Sequence, residues 1–244
     1  MNNTETSEDC TQPRKNAFSF SDIALRFFDI IFSFIAIMVL LPFMIPIMLV
    51  LKLTGEHDIF YAQERIGRFG RPFKLLKFAT MLRNSPNMDG GMFTVENDPR
   101  ILPMGRFLRK TKINELPQLL NILCGQMSVI GYRPTVKEFY DKYPEDVKKK
   151  ILCIRPGLSG IGSVVFRDEE EILQKIEDKE SFDSNIITPY KGELEAWYAD
   201  HRSVIMYFRL IVLTVDAVLH PQSQKWKNIS EDIPDVPSEL TPYL

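Results

Sequence analysis

The chain has 244 residues, 45% hydrophobic and 25% charged, enough to bury a sizeable core and build one moderate domain with accessories. Its three cysteines (Cys10, Cys124, Cys153) and three histidines (His57, His201, His220) show no C-x-x-C or H-x-x-x-H spacing, which argues against zinc or iron and leaves a hard, oxygen-bound ion, Mg2+ before others. The net charge of -2 hides an asymmetry: residues 63–112 carry 11 Lys or Arg against four acids, and residues 168–239 carry 16 acids against seven bases. The basic half points to an anionic partner, and charge alone does not choose among nucleic acid, lipid headgroups and a phosphorylated substrate.

In chain order, residues 1–19 lack periodicity and read as a disordered tail. From Ile30 to Leu51 come 22 residues without a charge, Ser33 being the only hydroxyl among them. At ~1.5 Å per residue, a helix of that length just crosses a bilayer. The run starts too late and is too long for a signal peptide. Pro42 and Pro46 interrupt it, and basic residues flank both sides (Arg14, Lys15 and Arg26; Lys52, Arg65, Arg68 and Arg71), so the positive-inside tendency gives no direction. A kinked span is one reading. The other is a helix that enters, breaks near Pro42 and returns to the same face, with Ser33 available to bond a freed carbonyl.

Residues 59–78 alternate apolar and polar around a Gly-x-x-Gly turn and predict a β-hairpin. Residues 85–91 predict a loop, and Leu102–Leu108 predicts a helix or turn. Next comes Lys110-Thr111-Lys112-Ile113-Asn114-Glu115-Leu116-Pro117-Gln118, where Asn114 reads as an N-cap, Pro117 as a first-turn residue and Gly125 as the stop. Glu115 would then sit at a helix N-terminus suited to phosphate, with Arg106, Arg109, Lys110 and Lys112 just upstream; an ordinary capped helix is the plainer alternative.

Residues 136–151 predict helices broken near Pro144. Residues 156–163 form a glycine-rich turn, read either as a simple turn or as backbone able to approach a ligand, and Asp168-Glu169-Glu170 an acidic helix start. Residues 193–219 predict one long helix, its second half apolar enough for a core or a membrane interface, and 221–244 a loosely packed tail. The expected fold is mainly α with a short β-hairpin, divided into the tail 1–19, a membrane segment 20–54, a catalytic domain 55–220 and the tail 221–244.

Eight motifs in order resemble a known family: Arg26-Phe27-Phe28-Asp29 before the proline-broken segment, Gln63-x-Arg65-x-Gly67-x-x-Gly70, Lys77-Phe78-x-Thr80-Met81, Asp98-Pro99-Arg100, Gly105-x-x-Leu108-Arg109-Lys110, Glu115-Leu116-Pro117-Gln118-Leu119, Met127-Ser128-x-x-Gly131-x-Arg133-Pro134 and Pro156-Gly157-x-Ser159-Gly160. Over about residues 20–220 the chain resembles the bacterial sugar transferases, the monotopic polyprenyl-phosphate phosphoglycosyl transferases.

The resemblance implies a re-entrant membrane helix with its break at Pro42 and Ser33, and a small catalytic domain on the cytoplasmic face of the bacterial inner membrane. It implies transfer of a sugar phosphate from a UDP-sugar to undecaprenyl phosphate, releasing UMP with help from Mg2+, as an early step of exopolysaccharide or lipopolysaccharide assembly. The implied partners are those two substrates, membrane lipids and downstream glycosyltransferases; nucleic acid would leave the membrane segment unexplained. Glu115 and Asn114 fall at the family's catalytic acid pair. Arg100, Arg109, Lys110, Arg133 and Arg167 fall at phosphate or nucleotide contacts, Glu195 at a further acid, and Glu115 and Asp168 are the candidate metal ligands.

The chain departs from the family pattern at four places: Asn114 replaces the nucleophilic Asp, Ala79 an Arg, Gln126 an Asp and Tyr132 a Pro. A carboxamide cannot serve as a carboxylate nucleophile. Two readings follow: an active transferase with altered carboxylate use, and an inactive membrane-bound relative that binds a nucleotide sugar or a partner enzyme.

Overall fold

The computed structural model describes residues 20–85, 88 and 98–244, so the expected tail 1–19 and most of the loop 85–91 lie outside the described residues. The fold is mostly helical with small two-stranded sheets. The chain divides into two compact units, one from the described residues up to Phe28, Arg65–Phe73 and Gln126–Leu244, the other from Asp29–Glu64 and Lys74–Gly125.

Helix α1, Phe20–Leu53, runs as one helix through Pro42 and Pro46 and is the one described helix long and apolar enough to cross a membrane. At ~1.5 Å per residue its 34 residues exceed a ~30 Å hydrocarbon core. An interruption near Pro42 is not seen. The Ser33 hydroxyl is engaged upstream, donating to the carbonyls of Asp29 (2.6 Å) and Ile30 (3.2 Å) rather than to a carbonyl freed by a proline. Phe34, Ile35, Met38, Val39, Phe43, Ile45 and Leu49 are exposed, a surface that water disfavours and lipid accepts.

The hairpin forms as expected, from β1 (Phe60–Ile66) and β2 (Pro72–Phe78). Its turn needs left-handed backbone at Phe69 and Gly70, and Gly67 is hemmed in by the Arg71 carbonyl, 2.9 Å from where a Cβ would stand. In the second unit, Met44 and Leu51 of α1 pack with Phe78 and with Leu108 of α2 (Pro103–Lys110), and Ile113 and Leu116 pack against this cluster. Each such buried side chain contributes roughly 1.5–3 kcal/mol. Gly105 lets α2 lie against the chain at Thr80, whose carbonyl would be 2.2 Å from a Cβ.

Asn114 does not cap a helix. Residues Ile113–Glu115 form a single 3-10 turn after Lys112 in left-handed backbone, and α3 starts only at Gln118, ending at Leu123 before Gly125. Pro117 has no N–H to continue the ladder, so the chain re-nucleates after it. Asn121 of α3 instead ties α3 to β2, accepting from Leu76 N–H (3.0 Å) and donating to the Lys74 carbonyl (2.8 Å).

In the first unit, β3 (Ser128–Ile130) pairs in parallel with β4 (Gly157–Ser159), in register Ser128 to Gly157 and Ile130 to Ser159. Helices α4 (Lys137–Tyr140) and α5 (Glu145–Ile151) separate at Pro144 as expected. They are followed by α6 (Ile161–Val165), α7 (Glu169–Gln174), α8 (Lys179–Phe182), a π-helical turn Asp183–Ile187, and α9 (Thr188–Asp200). The single helix expected over 193–219 is two: α9 ends at Asp200, and α10 (Val204–Leu219) starts afresh on a Ser203 cap whose hydroxyl accepts from Met206 N–H. The segment after Pro221 is not loosely packed, since Trp226, Ile229 and Leu240 are buried and the Tyr190 hydroxyl donates to the Pro234 carbonyl (3.0 Å).

Candidate functional site

The second unit carries Arg100, Arg109, Lys110, Asn114 and Glu115; the first carries Arg133, Arg167, Asp168 and Glu195.

Glu115 is the central carboxylate of its unit. The 3-10 turn that bears it is held between Ile113 and Leu116, both packed on the apolar cluster, so the carboxylate is aimed by hydrophobic neighbours on either side. Lys77, at the end of β2, places its ammonium 3.6 Å from Glu115, and both side chains are mostly covered. Lys77 belongs to the Lys-Phe-x-Thr-Met motif of the resemblance but was not among the expected site residues; the signal available was its place in that motif. A lysine is a compact point charge able to hold a carboxylate ionised or to meet a phosphate.

Asn114 is buried, and its side-chain carbonyl oxygen has no hydrogen-bond partner among the described residues. An unsatisfied buried acceptor costs on the order of 1–3 kcal/mol. Beside Glu115, it is an oxygen kept ready for a donor or a hard cation that the protein does not itself supply.

Arg109 and Lys110 form the last turn of α2, where cations complement the helix dipole; Lys110 is exposed, and Arg109 is half-buried with a guanidinium nitrogen 3.6 Å from Met81 Sδ. Arg100, expected to contact phosphate, is instead buried, its Nε and Nη2 donating to both oxygens of Asp98 at 2.6 to 3.1 Å. That arginine holds the Asp98 carboxyl down at about 2, and Arg109 adds to the effect. In the fold it braces the chain at residues 98–102, where Leu82 N–H donates to the Arg100 carbonyl.

In the first unit the two glycine-bearing motifs interlock through their backbones. A Cβ on Gly157 would stand 2.1 Å from Gly131 N, one on Gly160 2.1 Å from the Gly131 carbonyl oxygen, and one on Gly131 2.3 Å from the Arg155 carbonyl oxygen. Gly131 N–H donates to Ser159 O (2.9 Å) and Gly157 N–H to Tyr132 O (2.8 Å). These glycines admit backbone to backbone.

Arg133 leaves this knot with an exposed side chain, while its main-chain N–H donates to both oxygens of Glu195, at 3.1 and 3.0 Å. Glu195, expected as a further acid of the site, is 4% exposed. Burial pushes its carboxyl up to about 8, against the lowering pull of Arg133 and Lys191. Arg167 is exposed, donates to the Ala217 carbonyl and lies 3.8 Å from Asp168. Lys191, one turn before Glu195 on α9, pairs with Glu169 beside that arginine (2.5 Å).

Among the described residues no three His, Cys, Asp or Glu lie together as a metal site, and the two expected carboxylate ligands, Glu115 and Asp168, fall in different units. Glu115 and the unpaired Asn114 oxygen are hard oxygen donors, the type that Mg2+ takes one or two of when phosphates supply the rest.

The family model described as bacterial sugar transferase matches residues 20–221. The exopolysaccharide production protein ExoY of Sinorhizobium fredii is 32% identical over 179 residues, covering 68% of this chain and 77% of that protein. Galactosyl transferase CpsE of Streptococcus agalactiae is 33% identical over 210 residues, covering 81% of this chain and 42% of that protein. The undecaprenyl-phosphate galactose phosphotransferase of Salmonella typhimurium is 35% identical over 158 residues, covering 59% of this chain and 33% of that protein. The chain thus spans about three quarters of the first relative and less than half of the other two.

Proposed function

The chain belongs to the bacterial sugar transferase family, and from that premise we propose that it transfers a sugar 1-phosphate from a UDP-sugar to undecaprenyl phosphate and releases UMP. The relatives named as undecaprenyl-phosphate sugar phosphotransferases support this chemistry. The observation that carries it here is Glu115: the family's Glu-Leu-Pro-Gln acid is kept, mostly covered, 3.6 Å from Lys77, in the stretch richest in cations. In the balanced reaction, a new bond forms between an oxygen and the β-phosphorus of the UDP-sugar. The bond from that phosphorus to the bridging oxygen breaks, and UMP leaves with the bridging oxygen.

Two routes fit these residues. In the first, Glu115 attacks and holds the phosphosugar until undecaprenyl phosphate takes it. In the second, the acceptor phosphate attacks directly while Glu115 and Asn114 orient it. Reach weighs against the first, because moving attack from position 114 to 115 shifts the oxygen by several ångströms, and ~1 Å can cost ~100-fold. When bound, Mg2+ would neutralise phosphate charge, held by Glu115 with the Asn114 oxygen nearby. The Lys77 ammonium stands 3.6 Å from Glu115, and the exposed cations Arg106, Lys110 and Lys112 of the same unit draw the anionic substrates.

The α10 face formed by Ile205, Val212, Val215, Val218 and Leu219 is exposed, and Phe208 of the same helix meets Phe28 of α1 edge-on, with ring centres 4.9 Å apart. With the exposed Phe20, Ile23 and Phe27 of α1, it suits the lipid interface of the cytoplasmic face of the inner membrane. Were the bilayer to break this continuous helix at Pro42 and return both its ends to that face, Asn16→Cys and Glu56→Cys, each in a background free of native cysteines, would label only once the inner face is opened. Labelling of either from outside makes α1 a span.

The deciding assay supplies the purified protein in bilayers with undecaprenyl phosphate, Mg2+ and a panel of UDP-sugars, and follows UMP. Release of UMP dependent on the lipid acceptor is expected. Nucleotide-sugar binding without UMP from any donor favours the second reading, an inactive relative, for which Asn114 in place of the family's nucleophilic Asp is the specific argument.

A further inference from the structure

A buried acid that makes no ion pair is a poor core filler, since leucine fills such a place without the cost of desolvating a polar group. Glu195 is in that position among the described residues. Lys191, one turn away on α9, spends its ammonium on Glu169, and the hydrogen bonds the structure gives the Glu195 side chain both come from the Arg133 main-chain N–H. The fold makes room for the carboxylate at this spot: a Cβ on Gly162 of α6 would lie 2.7 Å from Glu195 Oε1.

The segment that receives the carboxylate is otherwise immobilised residue by residue. Gly131 is wedged against the Arg155 carbonyl, and Tyr132 is buried with its hydroxyl donating to the Ile66 carbonyl (3.2 Å). Pro134 restricts the residue before it to extended backbone. Between these fixed points the Arg133 peptide N–H is the group whose direction decides how the side chain leaves the chain, and Glu195 grips it from two oxygens.

We infer that Glu195 is a positioning residue for Arg133, aiming its guanidinium at substrate phosphate by fixing the Arg133 peptide. This rests on the proposed reading of Arg133 as a phosphate contact and adds that the α9 acid acts only through it. α9 also carries Lys191, one turn away, which pairs with Glu169 at the start of α7.

The test is a double-mutant cycle read by UDP binding and by UMP release, with full-length protein in bilayers. Glu195→Leu, with both acceptors removed, is expected to weaken UDP binding and raise the donor KM on the order of tenfold, with kcat changed far less. Glu195→Gln, which keeps one carbonyl acceptor, is expected to recover most of that loss. In an Arg133→Ala background, Glu195→Leu is expected to add nothing, because its target is gone. Gly162→Ala, whose methyl displaces the carboxylate without altering it, is expected to reproduce the KM effect, and it keeps the proposal open to test should Glu195→Leu not fold. An additive loss in the double mutant, or Gly162→Ala and Glu195→Leu with unchanged UDP binding, overturns the inference. Wild-type protein that binds UDP but never releases UMP refutes the proposed reaction while leaving the cycle readable through binding; wild-type protein that does not bind UDP refutes both.

Discussion

The stretch around Glu115 and the knot of Gly131, Gly157 and Gly160 answer the same need by opposite means. Around Glu115 the backbone is a lone 3-10 turn held by apolar neighbours, and the chemistry sits in side chains: the Glu115–Lys77 pair and an unpaired Asn114 oxygen. In the knot there is almost no side-chain chemistry, and backbone atoms approach so closely that a single methyl does not fit. The departures from the family pattern track that contrast. Asn114 and Ala79 alter side chains in the first stretch, whereas the second keeps its three glycines and changes Gln126 at its edge and Tyr132, whose ring finds a buried place. A side chain is replaceable where function changes or is shared; a backbone approach is not.

The largest expected effect falls on the first stretch. Glu115→Gln keeps shape and the apolar supports, so melting should shift by little while UMP release falls by ~100-fold or more, in the range for loss of an acid–base or nucleophilic group. Incubation with a radiolabelled UDP-sugar and no acceptor then separates the two routes: label held by wild type and lost in the variant means covalent transfer, and no label with intersecting initial-rate lines means direct attack. Full activity in Glu115→Gln sends the search to Asp168 and Glu169.

The knot should fail in the opposite currency. Gly157→Ala places a methyl 2.1 Å from Gly131 N, a clash with main chain that no rotamer relieves. Overpacking costs ~1–3 kcal/mol and more against backbone, which for a chain of this size lowers Tm by roughly 5–10 °C. Molar activity of whatever remains folded should stay near normal. A variant that melts normally but is inactive would mean that these glycines face substrate after all.

Arg109→Ala and Arg133→Ala probe one cation from each stretch. Each should raise donor KM or lower kcat ~10-fold, as loss of a charge-assisted contact of ~1.5–3 kcal/mol implies. Arg100→Ala should instead destabilise the fold, because the buried Asp98 carboxylate it satisfies is left alone. Wild-type kinetics in the first two would move the phosphate site elsewhere.

Much of this was legible in the sequence because it rests on local rules. The hairpin declares itself through alternation and its Gly-x-x-Gly turn, the split at Pro144 through proline, and α1 through 22 uncharged residues. What escaped depends on partners distant in the chain. The β3–β4 pair joins three-residue strands 29 positions apart, too short for any periodicity. The division between α9 and α10 hangs on one serine cap inside an apolar run, and the fixed tail after Pro221 on Trp226 and Leu240 reaching back to the core. Arg100 and Glu195 were legible as charged site candidates but not as internal braces, because burial is a property of the fold.

The smallest expected effect is a pH signature of the knot's brace. In the unfolded chain Glu195 ionises near 4.5; in the fold, burial raises it to about 8, opposed by Arg133 and Lys191. Between those values the native state binds a proton that the unfolded state has lost, so stability declines as pH rises across the window and levels off above about 8. This is the reverse of a salt-bridged acid, which stabilises at high pH. Glu195→Gln cannot lose that proton, so the difference in Tm between variant and wild type should shift in favour of the variant by a few degrees from pH 5 to pH 8, with most of the change complete by about 8. The charged and titratable groups facing Glu195 are Arg133, Lys191, Tyr132 and Tyr143; burial holds both tyrosines above their ordinary range, so they stay neutral throughout. A constant Tm difference across the window would mean that Glu195 is ionised in the fold, and Lys191 would then have to serve it as well as Glu169. The knot would in that case be braced by charge, as the stretch around Glu115 is, and the contrast between the two would narrow to the glycines alone.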